Sequence, residues 1–168
     1  MKTVGVVMGS ASDAPVMDGA VEALREFGIP VEVRVLSAHR TPDDAIEFAR
    51  SAADRGFGVL IAGAGMAAHL AGVLAAVTSL PVIGVPIESG GLGGLDALLA
   101  MAQMPPGVPV ATVAVGGGRN AGLLAVRMLA LSDEGLTDAY ATFREAMAAK
   151  VRTADEGMRE RYGEAGGS

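Results

Sequence analysis

The sequence has no cysteine, no tryptophan and only two histidines, and aromatic residues make up 4% of it. Without cysteine there is no disulfide scaffold, thiolate metal site, iron–sulfur cluster or cysteine nucleophile. Two histidines make a multi-histidine metal site unexpected. Positive charge is also scarce, with 13 Lys and Arg against 19 Asp and Glu, a net charge of −6 and a pI near 4.8. That balance argues against a nucleic-acid surface, which needs a clustered basic face. An anionic substrate would need a local positive site.

Charged residues are missing altogether from residues 56–87, a stretch long enough to cross a bilayer. Gly63, Gly65, His69, Gly72 and the pair Leu80-Pro81 interrupt it, and β-branched segments at 59–61 and 82–85 lie within it. Two buried strands with a helix between them account for it better than a membrane span. The opening MKTVGVVMGS carries one Lys and then a glycine-interrupted apolar run. It reads as a first strand and not as a signal peptide, which makes the cytoplasm the default compartment.

What is present is small and apolar. The 168 residues are 51% hydrophobic and include 24 glycines, with a mean hydropathy of +0.42. The length suits a single domain, taken as 1–168, whose core is built from Ala, Val, Leu, Ile and Met. The glycines collect in short clusters between apolar runs, as tight turns lining a site would.

Along the chain one unit recurs: apolar run, glycine-rich or polar loop, helical pattern. Residues 4–8 form a strand, Gly9-Ser10-Ala11-Ser12-Asp13 a loop, and Met17, Val21, Leu24 and Phe27 a helical face that Gly28 stops. A second strand at 31–36 leads through Ser37-Ala38-His39-Arg40 to Thr41-Pro42-Asp43-Asp44, where a cap, an early proline and early acids start a helix that runs to about Gly56. Three more units follow: strand 58–62, loop 63–65 and helix 67–78; strand 82–85, loop 86–94 and helix 95–103; strand 110–115, loop 116–119 and helix 120–131. Five such units imply a parallel sheet covered on both faces by right-handed crossovers, with continuously apolar strands. The expected fold is α/β, a three-layer αβα sandwich with a flavodoxin-like parallel five-stranded sheet over about residues 3–131.

A further helix over about 133–162 carries Leu136, Tyr140, Phe143, Met147 and Val151 at helical spacing. It either closes its own core or reaches a neighbouring subunit; its length and its two tyrosines, Tyr140 and Tyr162, favour the second. The tail at 163–168 is expected to fray.

In an open parallel sheet, ligands sit beyond the carboxyl ends of the strands. Both histidines fall in loops there. The first loop offers free backbone N–H groups and a helix start to an anion, or Ser12-Asp13 is a plain cap. It has neither the Rossmann glycine spacing nor a P-loop lysine. His39-Arg40 joins a phosphate-binding fork to an imidazole that exchanges protons near neutral pH, or places an Arg on a helix surface beside a backbone-bonded His. His69 is either a site residue or a satisfied helix-cap histidine. Arg119 is either a second anion contact or a salt-bridge residue.

Five strings in order carry a resemblance: Val7-Met8-Gly9-Ser10-Ala11-Ser12-Asp13, Ser37-Ala38-His39-Arg40-Thr41-Pro42, Gly63-Ala64-Gly65-Met66-Ala67-Ala68-His69-Leu70, Gln103-Met104-Pro105-Pro106-Gly107-Val108-Pro109 and Asn120-Ala121-Gly122-Leu123-Leu124-Ala125. From about Val4 to Leu131 the chain resembles the catalytic subunit family of phosphoribosylaminoimidazole carboxylase, and within it the class I N5-carboxyaminoimidazole ribonucleotide mutases. The resemblance implies a purine-biosynthesis isomerase that moves the carboxylate of a small-molecule ribonucleotide from N5 to C4 without metal, ATP or biotin. It implies His39 as catalytic imidazole and His69, on a mobile loop, as a second catalytic residue. It also implies substrate contacts at Ser10, Ser12, Asp13 and Arg40 and, in that loop, at Gly65, Ala67, Ala68 and Leu70. A homo-octamer whose C-terminal helix packs on a neighbour is implied as well.

The family pattern usually has glycine at Met66, proline at Ala71 and a neutral residue at Glu88. Met66 restricts the backbone and fills pocket space, and the missing proline loosens the helix start. Other readings stay open: direct CO2-dependent carboxylation of aminoimidazole ribonucleotide, a related carboxylase, or a non-catalytic flavodoxin-like module. An FMN module would supply aromatic stacking and a signalling receiver would cluster acids after the first strand; these loops hold neither.

Overall fold

Apolar runs too short for helices and rich in Val and Ile pair here as parallel strands, and the computed structural model describes residues 1–163 of the chain. The strands are β1 (Thr3–Met8), β2 (Val31–Val35), β3 (Phe57–Gly65), β4 (Val82–Ile87) and β5 (Ala111–Thr112). They form one sheet in the order β2-β1-β3-β4-β5, with every pairing parallel. The expected flavodoxin-like architecture is present.

The helices are α1 (Ala14–Glu26), α2 (Pro42–Ala52), α3 (Leu70–Ala75), α4 (Leu95–Ala102), α5 (Gly118–Ala130) and α6 (Glu134–Tyr162). Helices α1 and α5 cover one face, where Met17, Leu24, Ala121, Ala125 and Val126 pack on Val4, Val6, Ile61 and Ile83. Helices α2, α3 and α4 cover the other, with Phe48, Leu70, Leu74 and Met101 against Val7, Leu60 and Ala62. Strand β4 is buried along its whole length, as both-face coverage demands.

Strand β2 departs from the expected continuous burial. It lies at the sheet edge, and its sequence VEVRV leaves Val33 44% and Val35 53% exposed. At the opposite edge the expected strand 110–115 shrinks to two residues. Beyond them, single bonds from Val113 N to Gly84 O (3.0 Å) and from Gly116 N to Pro86 O (2.9 Å) replace a regular ladder. The charge-free stretch 56–87 resolves into β3, the six-residue α3 and all of β4. Among the described residues no helix is long and apolar enough to cross a membrane.

Helix α6 starts where the Asp133 side chain accepts a bond from Leu136 N at 3.1 Å. Its first turns return to the core: Leu136 is buried, and Tyr140 packs on Phe27 with ring centroids 5.9 Å apart. Farther along, Met147, Val151, Met158 and Tyr162 are exposed. The expectation of fraying falls mostly on residues 164–168, which lie outside the described residues.

The order of strands locates the site. The chain leaves β1 for β2 on one side and then crosses to β3 on the other, so the loops after β1 and β3 diverge and open a crevice between them. Pairing keeps the carboxyl ends level, with Gly9 N bonded to Gly63 O at 3.1 Å and Leu36 N to Met8 O at 2.9 Å.

Candidate active site

A cavity of about 340 Å³ fills that crevice, lined from the loops after β1, β2, β3 and β4. Its β1 wall is built by a local bonding pattern. The Ser10 side chain accepts from Ser12 N at 3.3 Å, while Asp13 Oδ2 accepts from Ser10 N at 3.1 Å. The result is a reciprocal capping box around the short 3-10 turn Ala11–Asp13 that leads into α1. Ser12 Oγ donates to Ser10 Oγ at 2.9 Å. Asp13 is 9% exposed, and it is the buried ionisable side chain of the described residues. Its burial pushes the carboxyl above the ordinary carboxylate value, while the bonds from Ser10 and Ser12 pull the other way.

The β2 wall carries His39 and Arg40. Thr41 Oγ1 accepts from Ser37 N at 3.0 Å, and the Arg40 amide donates to Ser37 Oγ at 3.2 Å, which fixes the turn before α2. Thr41 therefore sits at the cap position, but its hydroxyl holds the turn and not the helix end. From that turn the Arg40 guanidinium crosses to the β1 loop and donates to Gly9 O at 3.2 Å. Arg40 lines the same crevice as the first-loop serines.

The β3 wall is the loop 65–69. Two short turns shape it, with Ala68 N bonded to Met66 O and His69 N to Ala67 O, both at 2.8 Å. They delay α3 to Leu70, three residues after the expected start, and place His69 at its cap position. There His69 Nδ1 meets His39 Nε2 at 2.9 Å, the rings nearly perpendicular at 82°. A hydrogen bond between two ring nitrogens holds one proton between them, so at least one imidazole is neutral while it lasts.

Of the residues singled out from sequence, Ser10, Ser12, Asp13, His39, Arg40, Gly65, Ala67 and Leu70 line this cavity. His69 joins it through His39. Ala68 is fully buried in the core beneath the loop. Arg119 goes elsewhere, in a two-pronged pair with Glu26 at 2.9 Å on each prong. That pair holds the Glu26 carboxyl below its ordinary range and the Arg119 guanidinium above its own. Met66, expected to fill pocket space, lines the cavity, and so do Gly9, Ser37, Ala38, Ala64 and Ser89, of which no contact was expected and whose sequence signal is a place just after a strand. Among the described residues no three His, Asp or Glu side chains gather as a metal-ligand set.

In chemical terms the crevice joins a guanidinium and serine hydroxyls to a pair of imidazoles, while the amides of Ser10, Ser12 and Asp13, expected to be free for an anion, are bonded within the first loop. The first group suits a phosphate and the second a proton transfer.

Comparison with known proteins gives this geometry a family. Residues 3–150 match the family model described as AIR carboxylase. The chain is 58% identical over 152 residues to a Mycobacterium leprae protein named N5-carboxyaminoimidazole ribonucleotide mutase, covering 90% of this chain and 89% of the relative. It is 56% identical over 147 residues to a Saccharolobus solfataricus protein of the same name, covering 88% of this chain and 93% of that one. In structure it superimposes on the crystal structure of Treponema denticola PurE with a TM-score of 0.86 and 28% identity, over 95% of this chain and 99% of the other. A family match over most of the chain, with relatives this similar along nearly their whole length, means that the chain belongs to the AIR carboxylase family.

Proposed function

We propose that this protein is an isomerase of purine biosynthesis, an N5-carboxyaminoimidazole ribonucleotide mutase that moves the carboxylate from N5 to ring carbon C4. The observation that carries the reading is the convergence of His39 and Arg40 with the first-loop box on one cavity at the strand-order reversal. Arg40 and the hydroxyls of Ser10 and Ser12 hold the 5′-phosphate ahead of α1, and Asp13 accepts from ribose hydroxyls. His39 then faces the base.

The reaction needs one proton given and one taken. The N5–carboxyl bond breaks with its electron pair left on nitrogen, the His39 imidazolium protonates that nitrogen, and CO2 is freed. The enamine-like C4 attacks the CO2 carbon, and the now neutral imidazole removes the C4 proton as the ring regains aromaticity. The ledger of protons closes without any other acid or base. An imidazole serves both directions because its ordinary pKa lies near neutrality. The bond to His69 gives the proton a second resting place and fixes the ring. The loop 65–70, which has no Asp, Glu, Lys or Arg, offers CO2 an apolar wall at Ala67 and Leu70.

The distal half of α6, with Met147, Val151 and Met158 exposed on a helix of 29 residues, supports packing on neighbouring subunits in a homo-oligomer, which we take to be an octamer. We place the protein in the cytoplasm, free of membrane and nucleic acid. Light scattering should then give a mass about eight times that of the chain, whose own mass is 16.8 kDa.

The deciding experiment supplies the N5-carboxylated ribonucleotide without ATP or added bicarbonate and follows the C4-carboxylated product. Turnover there supports the mutase. Product formed only from aminoimidazole ribonucleotide plus bicarbonate would move the protein to direct carboxylation.

A further inference from the structure

The serine hydroxyls on the cavity wall differ in what they bond. Ser12 Oγ donates to Ser10 Oγ at 2.9 Å, and Ser37 Oγ accepts from the Arg40 amide at 3.2 Å. Ser89 is the one residue after β4 that lines the cavity, and its hydroxyl bonds to no other group among the described residues. Its place is nevertheless set. Strands β3 and β4 stay paired out to Gly65 and Ile87. A Cβ added at Gly65 would lie 2.7 Å from Ser89 Cβ and 3.0 Å from Ile87 O. The bare glycine thus lets the Ser89 side chain rest against the end of β3.

The surroundings give that hydroxyl its value. The rest of the wall is Ala64, Gly65, Ala67, Leu70 and Met66, the last left-handed at φ +54, and the segment 65–70 has no Lys or Arg. The amides of Ala68 and His69 are bonded within the two turns there, and the His69 ring is bonded to His39. Ser89 is therefore the unengaged side-chain donor on the β3–β4 side, while Arg40 and the first-loop serines line the β1–β2 side. Neighbouring strands lie about 4.8 Å apart, so the ends of β1 and β4, two spacings apart in the sheet, are separated by about 10 Å. A nucleoside monophosphate reaches about that far from its phosphate to the outer edge of a five-membered base.

We propose that Ser89 is the carboxylate-recognition residue of this site: its hydroxyl donates to a carboxylate oxygen of the bound nucleotide and so distinguishes carboxylated nucleotides from aminoimidazole ribonucleotide. This rests on the mutase reading above. The bond is strong while the carboxyl group is an anion on N5 or on C4, because a charged acceptor strengthens it, and weak while the group is neutral CO2. It therefore stabilises bound substrate and bound product more than the state between them, and its effect falls on affinity and not on the rate of the chemical step.

Ser89→Ala keeps the Cβ that rests on Gly65 and removes the hydroxyl alone. Calorimetric titration of wild type and variant with the C4-carboxylated ribonucleotide and with aminoimidazole ribonucleotide tests the proposal, since the two ligands differ at the carboxyl group. The variant should bind the carboxylated nucleotide about ten-fold more weakly and aminoimidazole ribonucleotide within about two-fold of wild type. KM for the N5-carboxylated substrate should rise by a similar factor with kcat not lowered. Equal losses for both ligands would mean that Ser89 serves to seat the loop, and unchanged affinity for both would mean that its hydroxyl meets no ligand; either result overturns the proposal. Wild-type turnover of the N5-carboxylated substrate is measured first, and its absence removes the mutase reading before any variant is compared.

Discussion

Replacing His39 with Asn separates chemistry from binding at this site. Asparagine keeps a polar side chain of similar reach but cannot give and then take a proton. General acid–base catalysis contributes about 10²–10⁴-fold, which at about 1.36 kcal/mol per decade is about 2.7–5.4 kcal/mol of barrier. The phosphate anchor does not depend on His39, because Arg40 is braced on Gly9 O and the Ser10–Asp13 box closes on itself. Nucleotide affinity should therefore stay within about three-fold while kcat falls by the full factor. His69 acts through its 2.9 Å contact with His39. An exposed bond of that kind is worth about 0.5–1.5 kcal/mol, so His69→Asn should cost about 2–12-fold in kcat. The double variant should be no slower than His39→Asn alone, since a positioning residue has nothing left to position. Steady-state kinetics on the N5-carboxylated ribonucleotide, with calorimetric titration of the nucleotide, measures all three. A His39→Asn enzyme within about three-fold of wild-type kcat, or additive losses in the double variant, would refute the reasoning.

Arg40→Met keeps the stem and removes the fork. Loss of a charge-assisted phosphate bond worth about 1.5–3 kcal/mol should raise KM about 10–150-fold with kcat little changed, and an unchanged KM would place the phosphate elsewhere. Asp13→Asn reports on burial of the carboxyl. With the native pKa held above the ordinary 3.8, the unfolded chain loses this proton first as pH rises, so wild-type stability falls through the window from 3.8 up to the native value and then levels. The Asn variant lacks that loss, so urea melts across acid pH should show its stability rising relative to wild type through the same window; the opposite slope would contradict the assignment. Gly122→Ala probes the α1–α5 seam, where a Cβ would fall 2.6 Å from Ala20 O and 2.9 Å from Ala23 Cβ. Overpacking of that order costs about 1–3 kcal/mol. At about 2–4 °C per kcal/mol a thermal melt detects it, and an unchanged Tm would mean that the helices part freely.

What the sequence made readable follows from which signals are local. Strands β1, β3 and β4 sit in the middle of the sheet, buried on both faces, so their unbroken apolar runs announce them. Edge position is not a local property, which is why β2 came out more exposed and β5 shorter than their composition suggests. The loops bearing His39 and His69 were identifiable by their place after strands. Their 2.9 Å contact was not, since it depends on two turns that hold back the start of α3. Arg119 had two equal readings because Glu26, the partner that decides between them, lies 93 residues away. The left-handed backbone of Met66 leaves no mark in composition, for methionine carries no preference for that conformation.

The two ends of the cavity are held by different physics. The end we assign to the phosphate belongs to the start of α1, and α1 is seated against α5 at backbone distance: besides Gly122, a Cβ on Gly19 would meet Arg119 N at 3.0 Å, and one on Gly118 would strike Val16 O. Small residues at that seam convert a stretch of loop into a rigid anion cradle, because moving Ser10 or Asp13 means moving a close-packed helix pair. The chemical end hangs on one turn, left-handed at Met66, with Met66 and His69 exposed, short local bonds within it and Ala68 as its buried anchor. Substrate affinity should therefore track the integrity of the α1–α5 seam, and proton transfer should track the turn at 66–69. Gly122→Ala shifts the cradle without touching the turn, so its kinetic cost should appear in KM with kcat little changed, the reverse of what His69→Asn should show.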